Sequence, residues 1–206
     1  MRVFVFAYDR FDDMTTSLAL EAEGIPHTVL CHTEEALERF VAGNTAKRER
    51  LIATGNGKGL ANQRNSALDM MAEGEWALFL CDDIKKVTEL RNYDRTTSAT
   101  LPINLTNQNH YGKRFDNPIS MSQFMLRAEQ LVTKCETHSC KLGGFAGINN
   151  PLYRARHWGY NIMADGRAWV VQKSWLRFDT KAQMVDDVAW TALNIKHFRS
   201  EEHTSE

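Results

Sequence analysis

The sequence lacks a long apolar run and an excess of charge of either sign. No apolar stretch among its 206 residues approaches the ~20 that a membrane-spanning helix needs, so we expect no membrane partner. The formal net charge is −1, so no global field attracts nucleic acid, and any DNA contact would have to come from a local basic patch. The apolar start "MRVFVFAY" is followed by acids, unlike a secretory signal peptide.

The cysteines are few and do not form a disulfide framework. Cys31, Cys81, Cys135 and Cys140 lack the dense spacing of a small secreted domain. A chain of this length can bury a substantial core without such crosslinks. Cys135, His138 and Cys140 lie close together, but their spacing lacks a fourth ligand for structural zinc, which disfavours a zinc site there. We therefore expect a cytoplasmic protein.

The last residues, "RSEEHTSE" at 199–206, are polar and show no pattern. They resemble the translation of a common sequencing adapter, which would make them non-native and the gene a truncated piece of environmental DNA. The alternative is a disordered tail. We therefore predict a single domain over residues 1–198 and exclude 199–206 from it as non-native or disordered.

Short apolar segments alternate with amphipathic ones in the first half of the chain. Strands are predicted in "RVFVFAY", "HTVLCH", "RERLIATG" and "WALFLC". Helices are predicted in "DDMTTSLALEAEG", with capping aspartates and with Leu18 and Ala22 at the spacing of one helix face, in "TEEALERFVAG", capped by Thr33, and after "GNGKG". This alternation predicts an α/β fold with a Rossmann-like sheet, mixed but mostly parallel and flanked by helices.

The second half of the chain is less regular. Residues 85–118 are predicted to be mostly loop, of a length that is usually functional or disordered. A helix is expected in "SMSQFMLRAEQLVTKC", extended chain in "KLGGFAGIN" and "WVVQKSWLRFD", and a last helix in "MVDDVAWTALNIKHF", with Val188, Ala192 and Ile195 on one face. Four tryptophans are interpreted as core rather than as a surface for stacking bases: Trp158, Trp169, Trp175 and Trp190.

Polar residues follow four of the predicted strands. They are Ala7-Tyr8-Asp9-Arg10, His32-Thr33, Thr54-Gly55-Asn56 and Asp82-Asp83. Because the carboxyl ends of parallel strands meet at one edge, a ligand is expected there. Carboxylates at that edge could hold Mg²⁺ or Mn²⁺ beside a nucleotide diphosphate, with Lys58 and Arg64 neutralising further charge.

Each of these motifs also has a purely structural explanation. Asp82 and Asp83 could simply end a strand in a turn. The segment "GNGKG" fails the P-loop pattern, because Gly59 rather than Ser or Thr follows Lys58. The acids of "VDDV" are also favourable charges at a helix N-terminus. No single motif therefore decides the function.

Five motifs follow one another in a specific order: "AYDR", "GLANQRNSAL", "CDDI", "GGFAGIN" and "VDDV". This order resembles the GT-A glycosyltransferases, most closely the phage-type branch called the TET/JBP-associated glycosyltransferases. The resemblance spans Val3 to about Phe198. It implies a GT-A-like fold and a phage-encoded enzyme that uses a divalent metal (Mn or Mg) and a UDP-linked nucleotide sugar. Such an enzyme would act in the cytoplasm of an infected bacterium.

The resemblance also implies roles for individual residues. Asp83 matches the expected metal ligand, Asp82 would support the ribose or the metal, and Cys81 stands where the family usually has an aspartate. The base would be Asp187, with Asp186 as second choice, and the family's further C-terminal histidine has no clear match. The resemblance places Tyr8 and Asp9 against the nucleoside, Arg64 and Asn65 facing the donor, and Gly143, Gly144 and Phe145 beside the sugar. Their positions at the strand ends add Arg10, His32 and Asp82 to the candidate donor-binding residues, and the glycine-rich loop adds Lys58.

The implied reaction transfers the sugar to a hydroxyl, with 5-hydroxymethylpyrimidine in DNA as the suggested acceptor, and a single base would give inversion. A basic stretch that could follow phosphates includes Lys85, Lys86, Arg91, Arg95, His110, Lys113 and Arg114. Two alternatives stay open. A nucleotidyltransferase usually has a basic glycine loop after its first strand, where this chain has "AYDRFDD". A non-catalytic sugar- or DNA-binding relative is the other. The sequence leaves the oligomeric state open.

Overall fold

The computed structural model describes residues 1–11, 13–43, 46–55, 59–89, 117–145, 167–181 and 186–198. The chain is α/β, with a six-stranded central sheet flanked by helices. Its elements are β1 (Arg2–Phe6), α1 (Thr15–Ala22), β2 (Thr28–Cys31), α2 (Glu34–Ala42), β3 (Leu51–Ala53) after a 3₁₀ turn (Arg48–Arg50), α3 (Leu60–Asp69), β4 (Trp76–Cys81), β5 (Val87–Glu89), β6 (Asn117–Ile119), α4 (Met121–Thr137), β7 (Leu142–Gly144), β8 (Ala168–Gln172) and α5 (Asp186–Phe198). No helix in these ranges is both long and apolar enough to cross a membrane.

The central sheet has the strand order β3-β2-β1-β4-β8-β7. β1 pairs in parallel with β2 and β4, so that Val5 lies opposite Val29 and Leu80, and β2 pairs in parallel with β3. β8 is antiparallel to both of its neighbours, with Trp169 opposite Phe79 and Gly144. The prediction of a mixed, mostly parallel sheet is confirmed, and the topology is consistent with a Rossmann-like fold.

Two short strands near the ends of region 85–118, which is predicted to be mostly loop, pair as a second, two-stranded sheet. β5 and β6 are antiparallel, and Val87 pairs with Ile119. The segment between them, 90–116, lies outside the described residues. The sequence pattern missed these strands because each has only three residues, too few for a period-two alternation to show.

The central sheet buries an apolar layer on each face. Alternate side chains of a strand point to opposite faces, so Val3 and Val5 enter one layer and Phe4 and Phe6 the other. The first layer also contains residues of α1, α2 and α4, and the second contains residues of α3 and α5. The result is a three-layer α/β/α arrangement.

Helix starts follow the sequence prediction only in part. Thr33 caps α2 as expected, since its side chain accepts a hydrogen bond from Ala36 N at 3.1 Å. The predicted aspartate cap of α1 is wrong: Met14 stands at the N-cap, with no side-chain hydrogen bond, and Asp13 instead lies 3.8 Å from Lys85 Nζ. The start of α1 therefore depends on tertiary contacts rather than on a local cap.

α4 is fastened at its start from two directions. Ser120 and Gln123 form a local capping box. In addition, the Glu23 carboxylate accepts hydrogen bonds from Met121 N at 2.7 Å and Ser122 N at 2.8 Å. The hydrogen bonds from Ser122 are the main reason that the pKa of Glu23 is lowered. The end of α1 thus fixes the start of a helix about a hundred residues further along the chain.

The structure corrects two predicted helix faces and one predicted core tryptophan. In α1, Leu18 is 45% exposed, whereas Leu20 is buried. In α5, Val188 and Ala192 are exposed and the buried residues are Trp190, Thr191 and Asn194. Of the predicted core tryptophans, Trp169 and Trp190 are buried and Trp175 is 64% exposed, while Trp158 lies outside the described residues.

Candidate functional site

The candidate site lies at the carboxyl edge of β1, β2, β3 and β4. These strands are parallel neighbours, so the residues that follow them come together. Tyr8, Asp9 and Arg10 follow β1, His32 follows β2, Thr54 follows β3, and Asp82 and Asp83 follow β4. The fold thus places these predicted residues along one edge.

Asp82 is a buried carboxylate at this edge. Its side chain accepts a hydrogen bond from Tyr8 N at 3.1 Å, and the residue is only 4% exposed. Arg10 Nη1 lies 3.5 Å from Asp82 Oδ1 and also contacts Asp83 Oδ2. Burial raises the pKa of Asp82 to about 6, while the Tyr8 N–H and the Arg10 guanidinium act in the opposite direction. The site therefore holds a carboxylate whose charge is costly and depends on a nearby cation.

Thr16, which sequence reasoning missed, holds the backbone that carries both acids. Its hydroxyl donates to Cys81 O at 2.7 Å and accepts from Ile84 N at 2.9 Å. Its own N–H donates to Asp82 O at 3.1 Å. The first turn of α1 thus fixes the strand end on both sides of the two carboxylates. A threonine at a helix start carries no sequence signal of a contact more than sixty residues away.

The residues after β1, β2 and β3 form the other half of the edge. His32 Nε2 is 3.5 Å from Asp9 Oδ1, and the His32 ring is 6.2 Å from the Tyr8 ring, which is 45% exposed. Asp9 has a φ of 35°, a left-handed conformation that is uncommon for a residue with a side chain. His32 Nδ1 and Thr54 Oγ1 are buried and have no hydrogen-bond partner among the described residues. Buried polar atoms without a partner are uncommon in folded proteins, so these two atoms are candidates for contact with a polar ligand.

Arg64 and Asn65, predicted to face the donor, lie on the aromatic side of α3. Arg64 is 2% exposed, and its guanidinium carbon is 4.5 Å from the Trp169 ring centroid and 5.5 Å from that of Phe178. The Asn65 amide donates to Phe178 O at 3.0 Å and accepts from Phe178 N at 2.8 Å. Both residues thus position the segment after β8. The preceding Gln63, which sequence reasoning missed, donates to Ala7 O at 2.9 Å and ties α3 to the end of β1.

Gly143 and Gly144 lie in β7, the strand at the far end of the sheet, and Phe145 follows it. A Cβ at Gly143 would lie 2.8 Å from Cys135 Sγ, so this glycine lets β7 pack closely on α4. Gly144 pairs with Trp169, and Phe145 N donates to Ala168 O at 3.1 Å. Because Trp169 lies opposite Phe79, this segment reaches the level of the carboxyl end of β4, two strands away from it.

Asp187 lies in the first turn of α5, half-buried, and its Oδ1 accepts from Val188 N at 2.8 Å. Trp190 stacks on Phe178 with the ring centroids 4.0 Å apart. Phe198, at the other end of the helix, lies 4.5 Å from Lys141 Nζ, just before β7. α5 therefore runs opposite to β4 and begins toward the carboxyl edge. The Asp186 side chain and Lys58 lie outside the described residues.

The carboxylate oxygens of Asp82 and Asp83 suit a hard cation whose other ligands would come from water and a bound phosphate. Among the described residues, no group of three His, Cys, Asp or Glu side chains could hold a metal ion by itself. Mg²⁺ is commonly held by one or two protein carboxylates, with water and substrate phosphates as the other ligands. Asp82 and Asp83 provide such a pair, and the buried charge of Asp82 favours a cation there.

Comparisons with known proteins do not assign the chain to a family. No protein-family model matches the sequence, and no curated protein matches it significantly. The function is therefore inferred from the residues and their geometry.

Proposed function

We propose that the protein is a metal-dependent glycosyltransferase with a GT-A-like fold that uses a nucleotide sugar. As the sequence resemblance implies, the sugar would be linked to UDP and the enzyme would be encoded by a phage. The observation that supports this most is Asp82, a buried carboxylate at the carboxyl edge of a parallel sheet, beside the more exposed Asp83. A carboxylate with a raised pKa in such a position is typical of functional sites, because burial disfavours its charge. A nucleotide bound with a divalent cation would satisfy that charge.

The residues of the edge divide into two parts with different tasks. Asp82 and Asp83 would hold the cation, which when bound supplies positive charge to the diphosphate. Tyr8, Asp9 and His32 would bind the nucleoside, with the exposed Tyr8 ring as an apolar surface. The hydrogen bond from Tyr8 N to the Asp82 carboxylate supports the proposal that the two parts are neighbours.

Asp187 is the proposed base. It would accept the proton of an acceptor hydroxyl as the oxygen attacks the anomeric carbon of the sugar and the bond to the diphosphate breaks. The direction of α5, which begins toward the carboxyl edge, supports this role. Gly144 and Phe145 would line the acceptor side. The proposed acceptor is a hydroxymethylated pyrimidine in DNA, supported by the basic Lys85 and Lys86 just after the two acids.

The test is a transfer assay with defined donors and acceptors. Purified protein with Mn²⁺ is incubated with a panel of nucleotide sugars and with hydroxymethylated or unmodified duplex DNA, and the nucleosides are analysed by mass. We expect a hexose-sized mass increase on the hydroxymethylated nucleoside only. Hydrolysis of the donor without DNA would support the enzyme but not the acceptor. Transfer of a nucleotide to a sugar phosphate instead would favour a nucleotidyltransferase.

Asp83→Asn tests the assignment of the metal-binding carboxylate. We expect turnover to fall at least about 100-fold, because the exposed ligand is lost while the shape of the side chain is kept. Glu38→Gln, which neutralises a 67% exposed acid on α2, is the matched control and should keep wild-type turnover. Undiminished turnover in Asp83→Asn would remove Asp83 from the site, and no turnover with any donor would contradict the proposed function.

A further inference from the structure

The place where the proposed cation would bind is occupied by a side chain of the protein itself. Arg10 Nη1 contacts carboxylate oxygens of both Asp82 and Asp83. A guanidinium donates its N–H groups to the same oxygen lone pairs that a metal ion uses. A divalent cation bound by these two carboxylates would therefore compete with Arg10.

We propose that Arg10 is a built-in counter-ion that a divalent cation displaces, and that the displaced guanidinium then pairs with the diphosphate of the donor. This inference rests on the proposed function for the presence of a cation and a diphosphate. It adds a role for Arg10, which is to couple the binding of the two.

The local structure allows Arg10 to leave the carboxylates. The Arg10 side chain is 51% exposed, whereas that of Asp82 is 5% exposed, so the arginine can turn toward solvent while the acid stays in place. Arg10 lies in the segment after β1, outside any helix or strand. Its guanidinium remains charged in either position, and a diphosphate at this edge would offer it new oxygen acceptors.

Displacement makes the two ligands depend on each other. A cation that binds alone must break the contacts of Arg10 and leaves the guanidinium without an anion. A cation that arrives with a diphosphate supplies a new partner at the same time, so the two ligands bind more tightly together than apart. Without Arg10, the cation alone should bind more tightly and the diphosphate more weakly.

Calorimetric titration with Mn²⁺, and with UDP in the presence of saturating Mn²⁺, measures both effects without catalysis. In Arg10→Ala we expect Mn²⁺ alone to bind about twofold to fivefold more tightly than in the wild type, and UDP with Mn²⁺ to bind more weakly. Arg10→Lys keeps the charge and should lie closer to the wild type. Lys85→Ala is the matched control, since it removes a nearby positive charge that pairs with Asp13 instead, and it should leave the Mn²⁺ affinity unchanged.

The outcomes separate this inference from the proposed function. Equal Mn²⁺ affinity in the wild type and Arg10→Ala would overturn the displacement, while Mn²⁺-dependent UDP binding by both would leave the donor site standing. A gain in Lys85→Ala as large as in Arg10→Ala would reduce the effect to net charge and also overturn the inference. No Mn²⁺ binding by either protein would overturn both proposals. Circular dichroism of each variant checks folding, and Arg10→Gln replaces Arg10→Ala if the latter is unfolded.

Discussion

At the scale of single residues, the buried carboxylate of Asp82 lowers the stability of the fold at neutral pH. Its pKa is about 6 in the folded protein, compared with ~3.9 in an unfolded chain. The folded state therefore binds a proton more tightly than the unfolded state between these values. The contribution of Asp82 to the free energy of unfolding is therefore fully present below pH ~4 and is lost as the pH rises through about 6.

Asp82→Asn should remove this loss in the metal-free protein. The asparagine oxygen can still accept the hydrogen bond from Tyr8 N, and no buried charge remains. In urea unfolding with a chelator present, we expect the variant to be more stable than the wild type by about 2–3 kcal/mol at pH 7.5 and nearly equal to it at pH 4. A variant that is less stable at pH 7.5 would show that the buried charge is favourable as it stands.

At the scale of elements, α1 positions the adjacent acids Asp82 and Asp83 through a single side chain. The Thr16 hydroxyl bonds to the backbone on both sides of Asp82 and Asp83, and the residue is fully buried. The adjacent Thr15 also has a buried hydroxyl, but this hydroxyl has no hydrogen-bond partner among the described residues. The two threonines therefore form a natural pair for comparison.

Thr16→Val should lower the free energy of unfolding by about 1–3 kcal/mol, because it leaves the partly buried Ile84 N and Cys81 O without this partner. It should also weaken Mn²⁺ binding, since the backbone that carries the two acids is released. Thr15→Val, with the same change of shape, should alter stability by about 0.5 kcal/mol or less. Equal effects of the two substitutions in chemical unfolding would show that the Thr16 hydrogen bonds do not hold the turn.

Elements with a local sequence signal could be predicted, and those fixed by distant contacts could not. The apolar segments of β1 and β4 and the Thr33 cap of α2 are visible in the sequence because neighbouring residues determine them. The prediction of the buried face of α1 is wrong because Leu18 and Leu20 are equally apolar, and only the packing of the helix determines that Leu20 is the buried one. The buried side of α5 was missed because it includes the polar Thr191 and Asn194.

The same limit applies to the candidate site. The strand-end residues Tyr8, Asp82 and Asp83 could be placed at one edge, since parallel pairing brings strand ends together. The buried position of Arg64 against Trp169 could not, because a cation packed on aromatic rings has no signal in the spacing of residues. The contact of Arg10 with two acids more than seventy residues away is equally invisible before folding.

At the scale of the whole molecule, the formal net charge of −1 means that duplex DNA would be bound by a local basic surface. Lys85 and Lys86 lie just beyond the two acids, between β4 and β5. The other basic residues suggested by the sequence, Arg91, Arg95, His110, Lys113 and Arg114, lie outside the described residues. A local surface makes few phosphate contacts, and the salt dependence of its affinity for DNA reports their number.

If DNA is the acceptor, the affinity for duplex should fall as salt rises, with each phosphate contact adding about 0.9 to the slope of log affinity against log salt. Replacing Lys86 with alanine should reduce that slope by about 1 if Lys86 contacts a phosphate. Fluorescence anisotropy over a range of roughly 50 to 200 mM salt measures both quantities. Arg48→Ala, which changes an exposed cation paired with Glu38 on α2, is the control. A KM for duplex that does not change with salt would argue against a DNA acceptor.

The position of β8 in the sheet has a consequence for how the chain is synthesised. β8 lies between β4 and β7, and Trp76 of β4 pairs with Gln172, 96 residues later. A ribosome therefore completes β1 to β4 well before the strand that covers β4 exists. During that interval the apolar "WALFLC" segment is a bare sheet edge, open to the same segment of another nascent chain. Slow translation or high expression should thus favour aggregation through β4, and a chaperone that shields this edge should raise the yield of folded protein.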